Sequence, residues 1–277
     1  MNTCINNDRS ELPIGVFDSG LGGLTVVREM RRRLPAEKIV YLGDSARVPY
    51  GTRSAATVER YSWNCTELLL EKGLKMLVVA CNTASAVALP YLRDRIDIPV
   101  LGVITAGARE ALSQPGVGRV GVIGTVGTVG SGAYPAEIGA IDPGVVVFQN
   151  PAPLLVPLAE EGWTDGEVPL LCAKKYLAPL VAEGIDVLLL GCTHYPLLME
   201  PLGRALNDLG SDASIVDSAT AMTADVVRAL DEHALSRDAQ QPGGLTCYVT
   251  DLPSSFQEMA GRFLGEPVGD VEQVDIS

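Results

Sequence analysis

Two cysteines stand where this chain could do chemistry. Cys81 ends the apolar run Leu77-Val78-Val79-Ala80 and is followed by Asn82 and Thr83. Cys192, 111 positions on, ends Leu188-Leu189-Leu190-Gly191 and is followed by Thr193 and His194. A cysteine can be a nucleophile, a metal ligand, a redox partner, a proton donor or acceptor, or inert core filling. Hydrogen-bonding side chains at the tip of an otherwise apolar strand argue for more than filling. A free thiol has a pKa of about 8.5, so a modest downward shift makes it a usable base at neutral pH. A helix N-terminus beside each cysteine is expected to supply that shift. Two thiols on one substrate suit racemisation, in which one group removes a Cα proton from one face and the other returns a proton to the opposite face. Asp18 and His194 are their partner candidates. Asp18 competes with a reading as a loop cap, and His194 with a local backbone hydrogen bond.

The elements that must position these groups alternate. Ile14–Phe17, Ile39–Leu42 and Met76–Ala80 are short apolar strands separated by helical stretches, which predicts βαβ units and a parallel sheet. Ligands collect at the carboxyl ends of such strands, so Asp18, the Pro49-Tyr50-Gly51 loop and Cys81 belong on one rim. A second set begins at Pro99–Val103 and continues through Val120–Ile123, Val145–Gln149 and Val187–Leu190. Ile14–Ser19 aligns with Val120–Thr125 at an offset of 106, and the cysteine strands repeat at 111. The echo predicts an α/β chain of two pseudo-symmetric domains, each a mostly parallel sheet flanked by helices, with the site at their interface. The expected division is 1–98 plus 213–277 for the first, discontinuous domain and 99–212 for the second. Ile215–Asp217 is a further strand, with Ser218 expected to cap the helix that follows. The tail, with a strand over 245–249 and a helix over 254–264, returns to the first.

Composition narrows the class. Apolar residues make up 47% of the chain and charged ones 20%, which supports a sizeable core. A net charge of −13 argues against a nucleic-acid surface, and no apolar stretch is long enough to span a membrane. The polar start lacks a signal-peptide core, so cytoplasmic residence is expected. The six cysteines are then free thiols. With two histidines and no CxxC pair, no metal site is expected.

The segments VFDSGLGGLTV, GDSARVPYG, VVACNTAS, GTVGTVGSGAY and GCTHYPLL, in this order, resemble the glutamate racemases of the aspartate/glutamate racemase superfamily. The resemblance runs from about Pro13 to Ser218 and more loosely to the C-terminus. It implies cofactor-independent interconversion of L- and D-glutamate by two bases, with D-glutamate supplied for peptidoglycan and hence for cell-wall biogenesis and cell shape. By that likeness Cys81 works on the D-enantiomer and Cys192 on the L-enantiomer, assisted by Asp18 and His194. Asp18, Ser19, Pro49, Tyr50, Gly51, Asn82, Thr83, Thr193 and His194 would line the substrate site. Glu160, in the VPL-x-E segment, is an assisting candidate. Backbone N–H groups and Ser, Thr and Asn side chains are expected to hold the carboxylates; Arg47 is the one candidate cation for them, and bracing of its own loop is the favoured reading for it. The partners expected are glutamate and, as a homodimer, a second copy of the chain.

Four alternatives accompany this reading. Gly20-x-Gly22 after a strand, with Asp44 further on, touches the dinucleotide fingerprint. Thr25 occupies the third glycine position, however, and Asp18 puts negative charge where pyrophosphate should approach. Pyridoxal phosphate lacks a lysine in the motif segments. A binding module would leave both cysteines inert. The substrate alternative is aspartate or a related acidic amino acid.

Overall fold

A computed structural model describes residues 9–276. Cys4 and most of the expected lead-in over 1–12 lie outside them. Ten strands build two sheets in which every pairing is parallel. They are β1 (Ile14–Asp18), β2 (Lys38–Gly43), β3 (Met76–Val79), β4 (Val100–Gly102), β5 (Arg119–Gly124), β6 (Val146–Pro151), β7 (Val187–Gly191), β8 (Ser214–Asp217), β9 (Gly244–Val249) and β10 (Val271–Gln273). The first sheet runs β10-β9-β2-β1-β3-β4 and the second β6-β5-β7-β8.

The central strands are continuous apolar runs because helices cover both faces of each sheet. Successive side chains serve opposite cores. Val78 faces the helices Leu24–Arg33, Ser218–Glu232 and Pro253–Leu264, while Leu77 and Val79 face Ala55–Glu71 and Asn82–Arg93. In the second sheet Leu188 and Leu190 pack towards Glu167–Ala182 and Met199–Asp208. Leu189 packs towards Val103–Leu112 and Ala133–Ile141.

The repeat seen in the sequence is a repeat of topology. The order β2-β1-β3-β4 matches β6-β5-β7-β8 strand for strand. The registers match too, since Ile14 pairs with Met76 and Val120 with Val187. Both cysteines therefore leave the same strand position in their own sheet. The tail returns as expected, with β9 pairing on β2. Sheet membership changes over one strand later than the division expected at 98/99 and 212/213. Val100–Gly102 pairs with β3 in the first sheet, and Ser214–Asp217 with β7 in the second.

The helix at 218 is capped by Asp217, whose Oδ1 accepts from the N–H groups of Ala219 and Thr220 at 2.9 Å, rather than by Ser218. A carboxylate one residue earlier reaches the exposed N–H groups of the first turn more directly. The helices Val103–Leu112, Val126–Ser131, Ala133–Ile141 and Met199–Asp208 carry no expectation from the sequence.

Candidate active site

Between the carboxyl ends of the two sheets lies a cavity of about 290 Å³. Cys81 and Cys192 both line it, one from the end of β3 and one from the end of β7. Ser19, Pro49, Tyr50, Gly51, Asn82, Thr83, Glu160, Thr193 and His194 line it as well. Asp18 does not. It is buried behind Ser19, where its Oδ2 accepts from the N–H of Gly20 at 3.0 Å. Its Oδ1 finds no hydrogen-bond partner among the described residues.

Cys81 is the N-cap residue of the helix Asn82–Arg93, and its Sγ donates to Ser19 Oγ at 3.7 Å. The helix start is where it was expected, but the direction of its pKa is not. Burial, then the Asp18 charge, pushes the thiol up to about 12. The N–H of Ala84 and the hydroxyl of Ser19 recover only part of that. Desolvation of a thiolate outweighs a half-charge at a helix end, so Cys81 here is a proton donor. Burial likewise raises the Asp18 carboxyl, against the pull of His194 and of nearby backbone N–H groups.

Cys192 is followed by the 3₁₀ turn Tyr195–Leu198 rather than directly by an α-helix. Its partner is a side chain. His194 Nδ1 lies 3.8 Å from Cys192 Sγ, and His194 Nε2 lies 3.0 Å from Glu160 Oε1. Burial works against a charge on His194. Its hydrogen bonds to Cys192 and Glu160 outweigh burial and raise the imidazole to about 10. The protonated form of the ring is favoured, with the Glu160 carboxyl on one side and the Cys192 sulfur on the other. Phe263 packs against it edge-on, centroids 5.2 Å apart.

The remaining wall residues are held by ties within and between the halves. The Tyr50 hydroxyl donates to Asp44 Oδ2, which also accepts from Arg47 Nε at 2.7 Å. Arg47 braces its own loop as expected, and its guanidinium lies over the Tyr61 ring. Tyr134 donates to Asn82 Oδ1 at 2.7 Å, and Asn82 Nδ2 donates to Ser218 Oγ. Thr83, Thr125 and Thr128 form a triangle of hydroxyls 3.0–3.2 Å apart. Thr125 lines the cavity and was missed by reading for side-chain chemistry. The internal echo points to it, because Thr125 follows β5 as Ser19 follows β1. Val48, Thr52, Val126, Pro153, Val156 and Pro157 complete the lining, and the apolar ones carry no signal in a single sequence.

Besides the thiols, the lining holds the ionisable side chains of Tyr50, Glu160 and His194, and no lysine or arginine among the described residues. Among the described residues no group of His, Cys, Asp and Glu is placed to hold a metal ion. None of the described helices is long and apolar enough to cross a membrane.

Two parallel sheets close on one cavity, and each delivers a cysteine to it. The chain belongs to the Asp/Glu/Hydantoin racemase family, whose model matches residues 14–239. It is 49% identical over 263 residues to a glutamate racemase of Geobacter metallireducens, covering 95% of this chain and 96% of that protein. It is also similar to the crystal structure of a glutamate racemase isoform from Bacillus anthracis, with a TM-score of 0.91, 39% identity and coverage of 96% and 98% of the two chains. A glutamate racemase from Francisella tularensis in complex with D-glutamate superposes with a TM-score of 0.89, 36% identity and the same coverage.

Proposed function

We propose that this chain interconverts L- and D-glutamate without a cofactor, with Cys81 and Cys192 as the two proton-transfer groups. The observation that carries the reading is one cavity lined by two thiols that leave equivalent strands of two sheets. The glutamate racemases to which the chain is similar support the choice of substrate.

In the L-to-D direction the Cys192 thiolate takes the Cα proton and becomes a thiol. The electron pair left at Cα spreads into the adjacent carboxylate. The Cys81 thiol then gives its proton to the other face and is left as a thiolate. The D-to-L direction runs with the two roles exchanged, so each sulfur must be able to hold either state. His194, positively charged and 3.8 Å from Cys192, favours negative charge on that side. The ammonium of the substrate brings positive charge into a cavity where burial disfavours a Cys81 thiolate. Asp18 sits behind Cys81 as the partner for its proton.

With no lysine or arginine in the lining, the carboxylates are held by neutral donors. Ser19, Thr83, Thr125 and Thr193 supply hydroxyls, and the helix Asn82–Arg93 begins in the same wall, so its N-terminal end favours an anion there. Product D-glutamate suits supply to peptidoglycan, and the cytoplasm is the compartment in which these thiols stay reduced.

The test is isotopic. L-Glutamate incubated with the protein in deuterated water should yield D-glutamate carrying deuterium at Cα, with no cofactor added. Racemisation of aspartate in preference to glutamate would replace the substrate. Turnover of neither would end the reading.

A further inference from the structure

We infer that the Thr25 hydroxyl is a positioning group that sets the spacing of the two thiols, by tying the loop after β1 to the loop after β7. The inference rests on the two-thiol reading above. Thr25 lies in the first turn of the helix Leu24–Arg33 and is fully buried. Its Oγ1 lies 2.9 Å from the carbonyl of Gly22 and 3.0 Å from the carbonyl of Thr193. One hydroxyl hydrogen therefore serves two acceptors, one in each loop.

Each loop carries one side of the site. The loop after β1 begins at Ser19, next to Asp18 at the strand end, and the Ser19 hydroxyl accepts from Cys81 Sγ. It is anchored to its own sheet, because Tyr41 in β2 donates to Gly20 O at 2.8 Å. The loop after β7 holds Cys192, Thr193 and His194. The two loops touch at Gly22, where a Cβ would stand 2.6 Å from His194 Nδ1. A glycine permits that approach of the Thr193 and His194 side chains but cannot set its register, since packing without a directed bond can slide. The hydroxyl of Thr25 supplies the direction, acting on the peptide that joins Thr193 to His194.

Arg262 ties the C-terminal helix to Glu160, which reaches His194 through its ring and not through the Cys192 loop backbone. The ties of Thr83 to Thr125 and of Tyr134 to Asn82 bear on the helix that begins after Cys81. Thr25 bears on the residue next to Cys192. Two-base transfer needs both sulfurs within reach of one Cα, so a small slide of one loop costs rate rather than binding.

The experiment compares the full-length protein with T25V, T25A and T25S. Valine keeps the shape and removes the hydroxyl, alanine removes it without branching, and serine restores it. Measured are kcat and KM in both directions, the isotope effect on Cα-deuterated glutamate, and thermal unfolding. T25V and T25A should each lower kcat at least about tenfold in both directions, with KM within about twofold and a larger isotope effect. T25S should return kcat to within about threefold of the parent. T25V or T25A at parental kcat, or T25S as impaired as T25V, overturns the inference while leaving the racemase reading intact. A parent protein that does not racemise glutamate removes that reading first.

Discussion

His194 Nε2 stands 3.0 Å from Glu160 Oε1 across 34 residues of sequence, and the same imidazole faces Cys192 through Nδ1. Glu160 is the last residue of the helix Leu155–Glu160, and its carbonyl accepts from Arg262 of the C-terminal helix. The pair makes the two ends of the site unlike. Cys81 has a buried carboxylate behind it, whereas Cys192 has a cation beside it. The strand echo is symmetric, but the charges placed on it are not. Gly124 stands where Asp18 would repeat, so the second half takes its charge from the cysteine loop and from a separate helix.

Cys81→Ser and Cys192→Ser should each lower kcat in both directions by roughly 10²–10⁴, the range for one lost acid–base group. A serine hydroxyl keeps the volume but does not ionise in the useful range. Circular dichroism of either enantiomer follows the reaction. Near-parental turnover by either variant in either direction would remove that cysteine from the mechanism.

Glu160→Gln should change the pH dependence of stability with a defined sign. His194 is raised to about 10 in the folded chain, against an ordinary value of about 6.5 when unfolded. The folded state thus binds the extra proton, so this group's contribution is complete below about pH 6.5 and is lost as pH rises towards 10. Without the Glu160 charge the imidazole titrates lower. The alkaline decline in melting temperature and in kcat/KM should begin at lower pH in the variant. Superimposable profiles would exclude Glu160 as the source of the shift.

Gly22→Ala places a methyl 2.6–2.7 Å from the His194 ring, with Thr193 Oγ1 nearer still. The Thr193 and His194 side chains must then shift, and the loop that carries them shifts with them. Stability should fall by about 1–3 kcal/mol, and kcat/KM at least about tenfold. Denaturant unfolding and steady-state kinetics measure the two effects. An alanine variant with parental kinetics would show that the loops need not be in contact.

Tyr50→Phe removes the hydrogen bond that pins the Pro49-Tyr50-Gly51 wall to Asp44. Asp44 keeps Arg47 and the Thr250 hydroxyl, so the fold should persist. A lost buried hydrogen bond costs about 1 kcal/mol, which corresponds to roughly a fivefold rise in KM if the wall serves binding. kcat should stay near parental. A drop in kcat at constant KM would move Tyr50 from binding to the chemical step.

Lys75→Met tests the end of the first sheet away from the cavity. Lys75 and Glu37 are both buried, with Nζ 2.5 Å from Oε2, and Nζ also donates to the carbonyls of Ser10 and Leu235. Removing the cation leaves the buried Glu37 carboxylate without its counter-ion, though still accepting from the N–H of Arg237, and should cost about 3–5 kcal/mol. At a temperature where the variant remains folded, kcat/KM should equal that of the parent. Chemical denaturation gives the first quantity and initial rates the second.

Much of the architecture was legible in the residues because both faces of each sheet are buried. Strands such as Leu77–Val79 and Leu188–Leu190 are then unbroken apolar runs, and the polar residues just beyond them stand out. The echo at 106 and 111 exposed the two halves and paired Cys81 with Cys192, since equivalent strands in equivalent registers repeat their spacing. The helices Val126–Ser131 and Ala133–Ile141 were not legible, because a glycine-rich segment has little helix propensity of its own. The Thr125 cap, and the packing of Tyr134 and Ile138 between the helices and the second sheet, make them helical.

Tertiary structure alone decided the electrostatics. A helix start after Cys81 suggested a lowered thiol, yet burial and Asp18 push it up to about 12, because desolvation depends on everything packed around the sulfur. The partners of Cys192 and His194 follow the same logic. Glu160 lies 34 residues from His194, and Thr25 lies 168 residues from Thr193. Local spacing carries no trace of contacts made by folding one sheet against another. The residue types and their strand positions were written in the chain, while the charge states and the separation of the two thiols arise only where the loops of the two halves meet.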